Sequence, residues 1–394
     1  MNIILSAHRP FHFVQLANAL SQGSDRVDLY SSAPRRFFSG LHSSVRLHFT
    51  PSPILLASHA YPRLVTESML DLDTLLYDMT VAAILPHADL FLGLATRSLR
   101  SAKRAKQRGS RFVLDRACPH VRVQQALLQR EADRVGFAFR PQPPWFVERQ
   151  IEEYELADAI LVPSRYTAGS FPDRLHSRLV LAPLLGRTAI PDAVTPTSRS
   201  VFTLGVVGNS PLRKGYLYLL RAWKRIALSN AQLLIRCGAS FEPYPALRQL
   251  LRELPNVQMV PYISDMSIFF RRCDAFVMPS VDDGFGMAIF EALAHGIPTI
   301  ATHACGASEL LVDGTDSLIV QAENEDSLAE AILTLYESQD LRRSIGLEGA
   351  ATARRVAASR VYESAIHDMV MRLTSGSEMV SRPDQRITRS RSIS

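Results

Sequence analysis

The chain has 394 residues, too many for one ordinary hydrophobic core and well suited to two. Hydrophobic residues make up 47% and charged residues 21%, which excludes a disordered or fibrous class. The net charge of +6 favours anionic partners. Nucleic acid is not expected among them, because the most basic stretch lacks interleaved aromatics and no recognition motif is present.

The N-terminus, Met-Asn-Ile-Ile-Leu-Ser-Ala-His, has no basic leader and only a three-residue apolar run. It reads as a first β-strand and not as a secretion signal. No window approaches the ~20 apolar residues that span a bilayer. A cytoplasmic chain is therefore expected. Expected strands in the first half are Ile3–Ala7, Arg26–Tyr30, Val45–Phe49, Asp89–Leu92, Arg111–Leu114, Ala159–Pro163 and Leu179–Ala182. Helical periodicity lies between them, as in Phe13–Leu20, Val65–Val81 and Glu148–Leu156. In the second half the strands are Phe202–Val207, Gln232–Arg236, Val257–Val260, Ala275–Pro279, Pro298–Ala301 and Ser317–Val320. Helical patterns close the chain at Asp326–Glu337, Leu341–Ala358 and Val361–Leu373. Such alternation predicts an α/β protein with two doubly wound, Rossmann-like domains. The reading divides the chain into an N-terminal domain (1–185), a Pro/Thr/Ser-rich linker (186–200) and a C-terminal domain (201–350). Helices over 351–374 pack back on the first domain, and a Ser/Arg-rich tail (375–394) is disordered.

Between Arg97 and Arg111 there are seven basic residues and no acidic one. The expectation is a solvated amphipathic helix with Leu94, Leu99, Ala102 and Ala105 as its apolar stripe. Peripheral contact with an anionic membrane is the functional alternative. The triplet Asp71-Leu72-Asp73 falls in the leucine-patterned stretch 65–81 and is expected to be solvated, not metal-binding. The cysteines at 118, 237, 273 and 305 fit neither a zinc site nor a redox pair, and reduced thiols are expected.

Open parallel sheets bind ligands at the carboxyl ends of their strands, so the chemistry should lie in the loops that follow. After Phe202–Val207 comes Gly208-Asn-Ser-Pro-Leu-Arg213-Lys214-Gly215 and then a helix. Two cations at a helix N-terminus make a phosphate clamp. The Walker order of residues is absent. After Ala275–Pro279 comes Asp283-Gly284-Phe285-Gly286-Met287-Ala288-Ile-Phe-Glu291. The glycines let backbone approach a ligand, and a helix start aims free N–H groups at it. Glu291 is the only acid in the run 287–295 and lies in an apolar setting. A ribose diol donating two hydrogen bonds is a natural partner for such a carboxylate.

These segments resemble the retaining family-4 glycosyltransferases of the GT-B fold. The hallmark of that family is Glu-x7-Glu, here Asp283 to Glu291, followed by Ala-Leu-Ala-His-Gly-Ile-Pro-Thr-Ile-Ala-Thr. Arg213-Lys214-Gly215 matches its phosphate element, and Glu148–Ser164 resembles the segment that closes its first domain. The resemblance implies two Rossmann-like domains facing across a cleft. It implies a nucleotide-diphosphate sugar as donor, a carbohydrate or lipid-linked acceptor, retention of configuration, and no further cofactor. Arg213, Lys214, Asp283 and His120 are then the catalytic candidates. Gly208, Gly284, Phe285, Gly286, Met287, Ala288 and Glu291 hold the donor. His8, Arg9, His12 and Asp115, which follow N-terminal strands, are candidates on the acceptor side. No residue is assigned to a metal. Two positions depart from the pattern: the first acid is Asp283, one methylene shorter than Glu, and Ser6–His12 lacks a Gly-Gly pair. A sugar-nucleotide epimerase of the same fold and a catalytically silent sugar-nucleotide-binding protein are the rival readings.

Overall fold

The computed structural model of the chain describes residues 1–10, 12–23, 26–52, 54, 67–185, 200–263 and 265–375. Most of the expected linker and nearly all of the expected tail lie outside the described residues. The N-terminal half runs β1 (Asn2–Ser6), α1 (Phe13–Ser21), β2 (Arg26–Ser31), β3 (Val45–Phe49), α2 (Glu67–Ile84), β4 (Leu90–Leu94) and α3 (Leu99–Gln107). It continues through β5 (Arg111–Asp115), α4 (Val121–Val135), α5 (Pro144–Leu156), β6 (Ala159–Val162), α6 (Arg165–Ala168), α7 (Asp173–His176) and β7 (Leu179–Leu181). The C-terminal half runs β8 (Phe202–Val207), α8 (Tyr216–Ile226), β9 (Ala231–Arg236), α9 (Pro245–Glu253), β10 (Val257–Met259), α10 (Met266–Phe270) and β11 (Ala275–Met278). It ends with α11 (Met287–Ala294), β12 (Thr299–Thr302), β13 (Leu318–Val320), α12 (Glu325–Glu337), α13 (Gln339–Ala358) and α14 (Val361–Ser375).

The strands form two sheets, ordered β3-β2-β1-β4-β5-β6-β7 and β10-β9-β8-β11-β12-β13. Every pairing is parallel, as in Ile3↔Val27 and Ile3↔Leu90 in the first sheet and Phe276↔Thr299 in the second. Central strands read as continuous apolar runs because helices cover both faces. Ile3 and Leu5 face the side of α1 and α14, whereas Ile4 faces the side of α2, α3 and α5. Each expected strand is present, with ends moved by at most two residues.

The two halves are joined by more than their crossover. Helix α14 packs on α1 and β7. Its Tyr362, Ile366 and Met369 are buried in the N-terminal core, in a cluster that continues into the C-terminal half through Ala353, Phe290 and Leu293. From the other side, Ala132 and Val135 of α4 are buried with Tyr218 and Leu247 of the C-terminal core. Both sheets present their strand C-termini to the cleft between them.

Two expectations about the N-terminal half are corrected. Leu94 ends β4, so the apolar stripe of α3 is Leu99, Ala102 and Ala105, all buried. Asp73 is not solvated. It is buried, it accepts a hydrogen bond from Ser52 Oγ, and its Oδ2 lies 2.8 Å from His8 Nε2 without hydrogen-bond alignment. Neighbouring Asp78 is buried as well, accepting from the backbone N–H groups of Arg100 and Ser101 at 2.7 and 2.9 Å and pairing with Arg149. Asp78 thus turns inward to cap α3 and Asp73 turns inward towards Ser52 and His8, while leucines of α2 face out.

Candidate active site

The loop after β8 is shaped by contacts that exclude side chains. Gly215 has φ of 63°, and a Cβ there would meet Pro279 O at 1.9 Å, so only glycine lets the β8 and β11 loops touch. The contact is fixed by Val281 N–H donating to Arg213 O at 2.9 Å. Arg213 and Lys214 are thereby carried to the acids of the second loop. Arg213 Nε donates to Asp282 Oδ2 at 3.0 Å, and Lys214 Nζ pairs with Asp283 Oδ2. The stem of Lys214 lies along Gly208, where a Cβ would meet its Cγ at 2.5 Å.

Burial alone would raise the pKa of Asp283. The cations of Lys214 and Arg213 overcome that and hold its carboxyl below the ordinary carboxylate range. Asp283 is therefore ionised near neutral pH, and two cations and two acids stand together at this point. An arriving diphosphate would shift the balance to negative, so it must share these cations with Asp282 and Asp283. The orphan N–H groups at the start of α11, capped by Gly286 with φ of 84°, add to the positive potential. One turn along, Glu291 has no side-chain partner among the described residues, and burial raises its pKa. Phe285, beneath the loop, stacks on Phe290 at 5.9 Å between centroids.

The N-terminal half meets this loop directly. A Cβ on Gly284 would lie 2.0 Å from Ala117 O. Ser164 Oγ donates to Gly284 O at 2.7 Å. Gln124 Nε2 donates to Asp282 at 2.9 Å, and the Glu309 carboxylate accepts from the N–H groups of Arg165 and Tyr166 at 2.8 and 2.6 Å. Asp282, buried between Arg213 and Gln124, is the residue sequence reasoning missed. The signal was available: two adjacent acids in one loop match the adjacent pair Arg213-Lys214 in the other.

The remaining candidates divide. His12 Nε2 and Asp115 Oδ1 are 2.8 Å apart at the ends of β1 and β5, so these two are brought together. Arg9 is exposed. His8 is buried, and burial together with the Arg97 cation lowers its pKa to about 4. His120 caps α4, its ring nitrogen accepting from Arg122 N–H, and its ring sits against Tyr154 and Phe171. Burial and Arg116 lower its pKa to about 4, so it is neutral near pH 7. His120 is thus built into an aromatic cluster of the N-terminal half, and not into the Arg213–Asp283 group. No group of three or more His, Cys, Asp or Glu side chains that could hold a metal occurs among the described residues.

Two parallel-sheet Rossmann-like domains meeting at their strand C-termini define the GT-B architecture. Sucrose-phosphate synthase from Thermosynechococcus elongatus superposes with a TM-score of 0.71 at 16% identity, covering 96% of this chain and all of that one. Anabaena HepE, solved in complex with UDP and glucose, superposes with a TM-score of 0.66 at 16% identity, covering 95% of this chain and 100% of HepE. Residues 201–338 match the family described as Glycosyl transferases group 1. Among curated relatives, the Staphylococcus aureus capsular polysaccharide biosynthesis glycosyltransferase CapM is 30% identical over 152 residues, 38% of this chain and 40% of CapM. The Rhizobium meliloti lipopolysaccharide core biosynthesis glycosyltransferase LpsD is 30% identical over 178 residues, 45% of this chain and 50% of LpsD. The aligned segments thus span half or less of these relatives.

Proposed function

We propose that this protein is a glycosyltransferase that moves a sugar from a nucleotide-diphosphate donor to an acceptor hydroxyl, with retention of configuration, in the synthesis of a polysaccharide, lipopolysaccharide or related glycoconjugate. The observation that carries the reading is the convergence of Arg213, Lys214 and the α11 N-terminus around Asp283, with an unpartnered Glu291 one turn away. The bond from the anomeric carbon to the diphosphate breaks, the bond to the acceptor oxygen forms on the same face, and the acceptor proton passes to the departing phosphate. Arg213, Lys214 and the helix N–H groups stabilise the charge that develops on the diphosphate. Two cations and a helix end serve without a divalent metal. Glu291 accepts from the ribose hydroxyls. His12, oriented by Asp115, and Arg9 line the acceptor side. His120 acts by position, through the cap and the aromatic cluster it completes. Relatives named for capsular polysaccharide and lipopolysaccharide core synthesis support the acceptor class.

The test is incubation of the full chain with a panel of nucleotide sugars in EDTA, following nucleoside diphosphate release with and without candidate acceptors. Release that depends on acceptor is the expected result. Conversion of the donor to its epimer, binding without turnover, or activity restored only by magnesium or manganese contradicts the proposal.

Glu291 supplies a further expectation. Charge-assisted hydrogen bonds contribute about 1.5–3 kcal/mol each, so Glu291→Ala should weaken nucleotide binding by about 10–100-fold. The ribose hydroxyls favour the ionised carboxylate, whereas burial in the empty site favours the protonated one. Donor affinity should therefore fall as pH is lowered through the raised pKa of Glu291, beginning above the ordinary carboxylate range. Calorimetric titration of the wild type and of Glu291→Gln across pH checks this. The variant's affinity should be weaker and flat over the same interval.

A further inference from the structure

Helix α2 is apolar on its outer face as well as its inner one: Tyr77 and Val81 lie in the core, yet every exposed side chain between residues 69 and 84 is also apolar. Leu72, Leu76 and Met79 are 48%, 41% and 46% exposed, and Met69, Leu70 and Ile84 are exposed with them. Spacings of three and four residues place 69, 72, 76 and 79 along one stripe. Asp73 and Asp78, which lie off this stripe, are buried and engaged, as described above. A contiguous exposed apolar stripe on a soluble domain marks a contact surface.

Helix α3 packs alongside α2, its first turn capped by Asp78. Its exposed side chains are Arg100, Lys103, Arg104 and Gln107. Lys103 pairs with Glu152, whereas Arg100 and Arg104 have no anionic partner among the described residues. An apolar stripe flanked by cations matches a surface that is apolar inside and anionic at its rim. A second copy of this chain fits less well, because a two-fold contact through α2 brings each copy's α3 cations towards their twins.

We propose that α2 and α3 form a docking surface for an anionic lipid membrane, with the α2 stripe entering the interface and Arg100 and Arg104 meeting the headgroups. No helix among the described residues is long and apolar enough to cross a membrane, so the attachment is peripheral. The inference goes beyond the reading of the cleft and rests on none of its residues. It places the acceptor-side domain at the bilayer.

The test is co-sedimentation of the full chain with vesicles of phosphatidylcholine alone or with one part phosphatidylglycerol to two of phosphatidylcholine, at low and at moderate salt. The wild type is expected in the pellet with anionic vesicles and to leave it as salt rises. The pair Leu72→Asp and Leu76→Asp should lower the bound fraction about tenfold or more. The pair Arg100→Glu and Arg104→Glu should abolish the preference for anionic vesicles. Unchanged thermal unfolding certifies the variants, and Leu72→Gln with Leu76→Gln replaces the Asp pair if that pair unfolds. Absence of wild-type binding, equal binding to both vesicles, or binding indifferent to the stripe substitutions overturns the proposal. So does sedimentation equilibrium of a dimer that the stripe substitutions dissolve. Loss of sugar transfer with vesicle binding intact would fault the cleft reading and leave this one standing.

Discussion

Lys214→Ala is expected to lower turnover by about 10²–10³-fold, the usual loss when one preorganised charge stabiliser is removed. The structure adds a second consequence. Lys214 is the ion-pair partner of the buried Asp283, and its removal leaves that carboxylate with Arg213 as its remaining cation. Breaking a buried pair from one side costs about 3–5 kcal/mol in the worst case. With Arg213 nearby, a loss of about 1–3 kcal/mol is expected. The two effects separate in the double variant Lys214→Ala with Asp283→Asn, which removes the orphaned charge. Its thermal stability should return towards that of the wild type while turnover stays low. Recovery of turnover with stability would mean that Lys214 serves the fold alone.

Gly284→Ala is expected to lower kcat/KM by about 100-fold, because a displacement near 1 Å at the reacting centre costs on that order. The added Cβ would fall 2.0 Å from the backbone oxygen of Ala117, and backbone cannot rotate away. The loops must separate, and the hydrogen bond from Ser164 Oγ to Gly284 O must stretch or break. The structure thus ties domain approach to the backbone of the donor loop. The loss should fall mainly on kcat, with nucleotide affinity nearly retained, since Arg213, Lys214 and Glu291 are untouched. Small-angle scattering should report a larger radius of gyration than in the wild type. Wild-type kcat at an unchanged radius would remove the closing contact from the account.

The strands were legible because parallel sheets covered on both faces leave continuous apolar runs, such as Ile3-Ile4-Leu5 and Ala275–Met278. The loops that end in Gly215 and Gly286 were legible as loop-to-helix turns because helix N-termini after strands, with glycines and charges at fixed spacing, carry their geometry in local sequence. What was hidden depends on contacts distant in sequence. Asp283 stood as a catalytic candidate with no partner assigned, yet its carboxylate is tied to Lys214, 69 positions earlier. Asp73 looked solvated because polar residues on a helix normally face water, and Asp78 was not singled out. They are buried because His8, Ser52, Arg149 and the N-terminus of α3 converge on them from other elements. That convergence turns the leucines of α2 outward, which no periodicity in the helix itself foretells. His120 follows a central strand, as a cleft residue would, but Tyr154 and Phe171 from later elements claim its ring.

The central claim is that a nucleotide diphosphate is held between the loops that end in Gly215 and Gly286. Photocrosslinking with an azido-substituted nucleotide sugar, followed by peptide mapping of the labelled full chain, tests it most directly. The account predicts label on peptides containing residues 208–215 and 284–291, displaced by excess unlabelled nucleoside diphosphate and sharply reduced in Glu291→Ala. Displaceable label confined to the first 180 residues would contradict it.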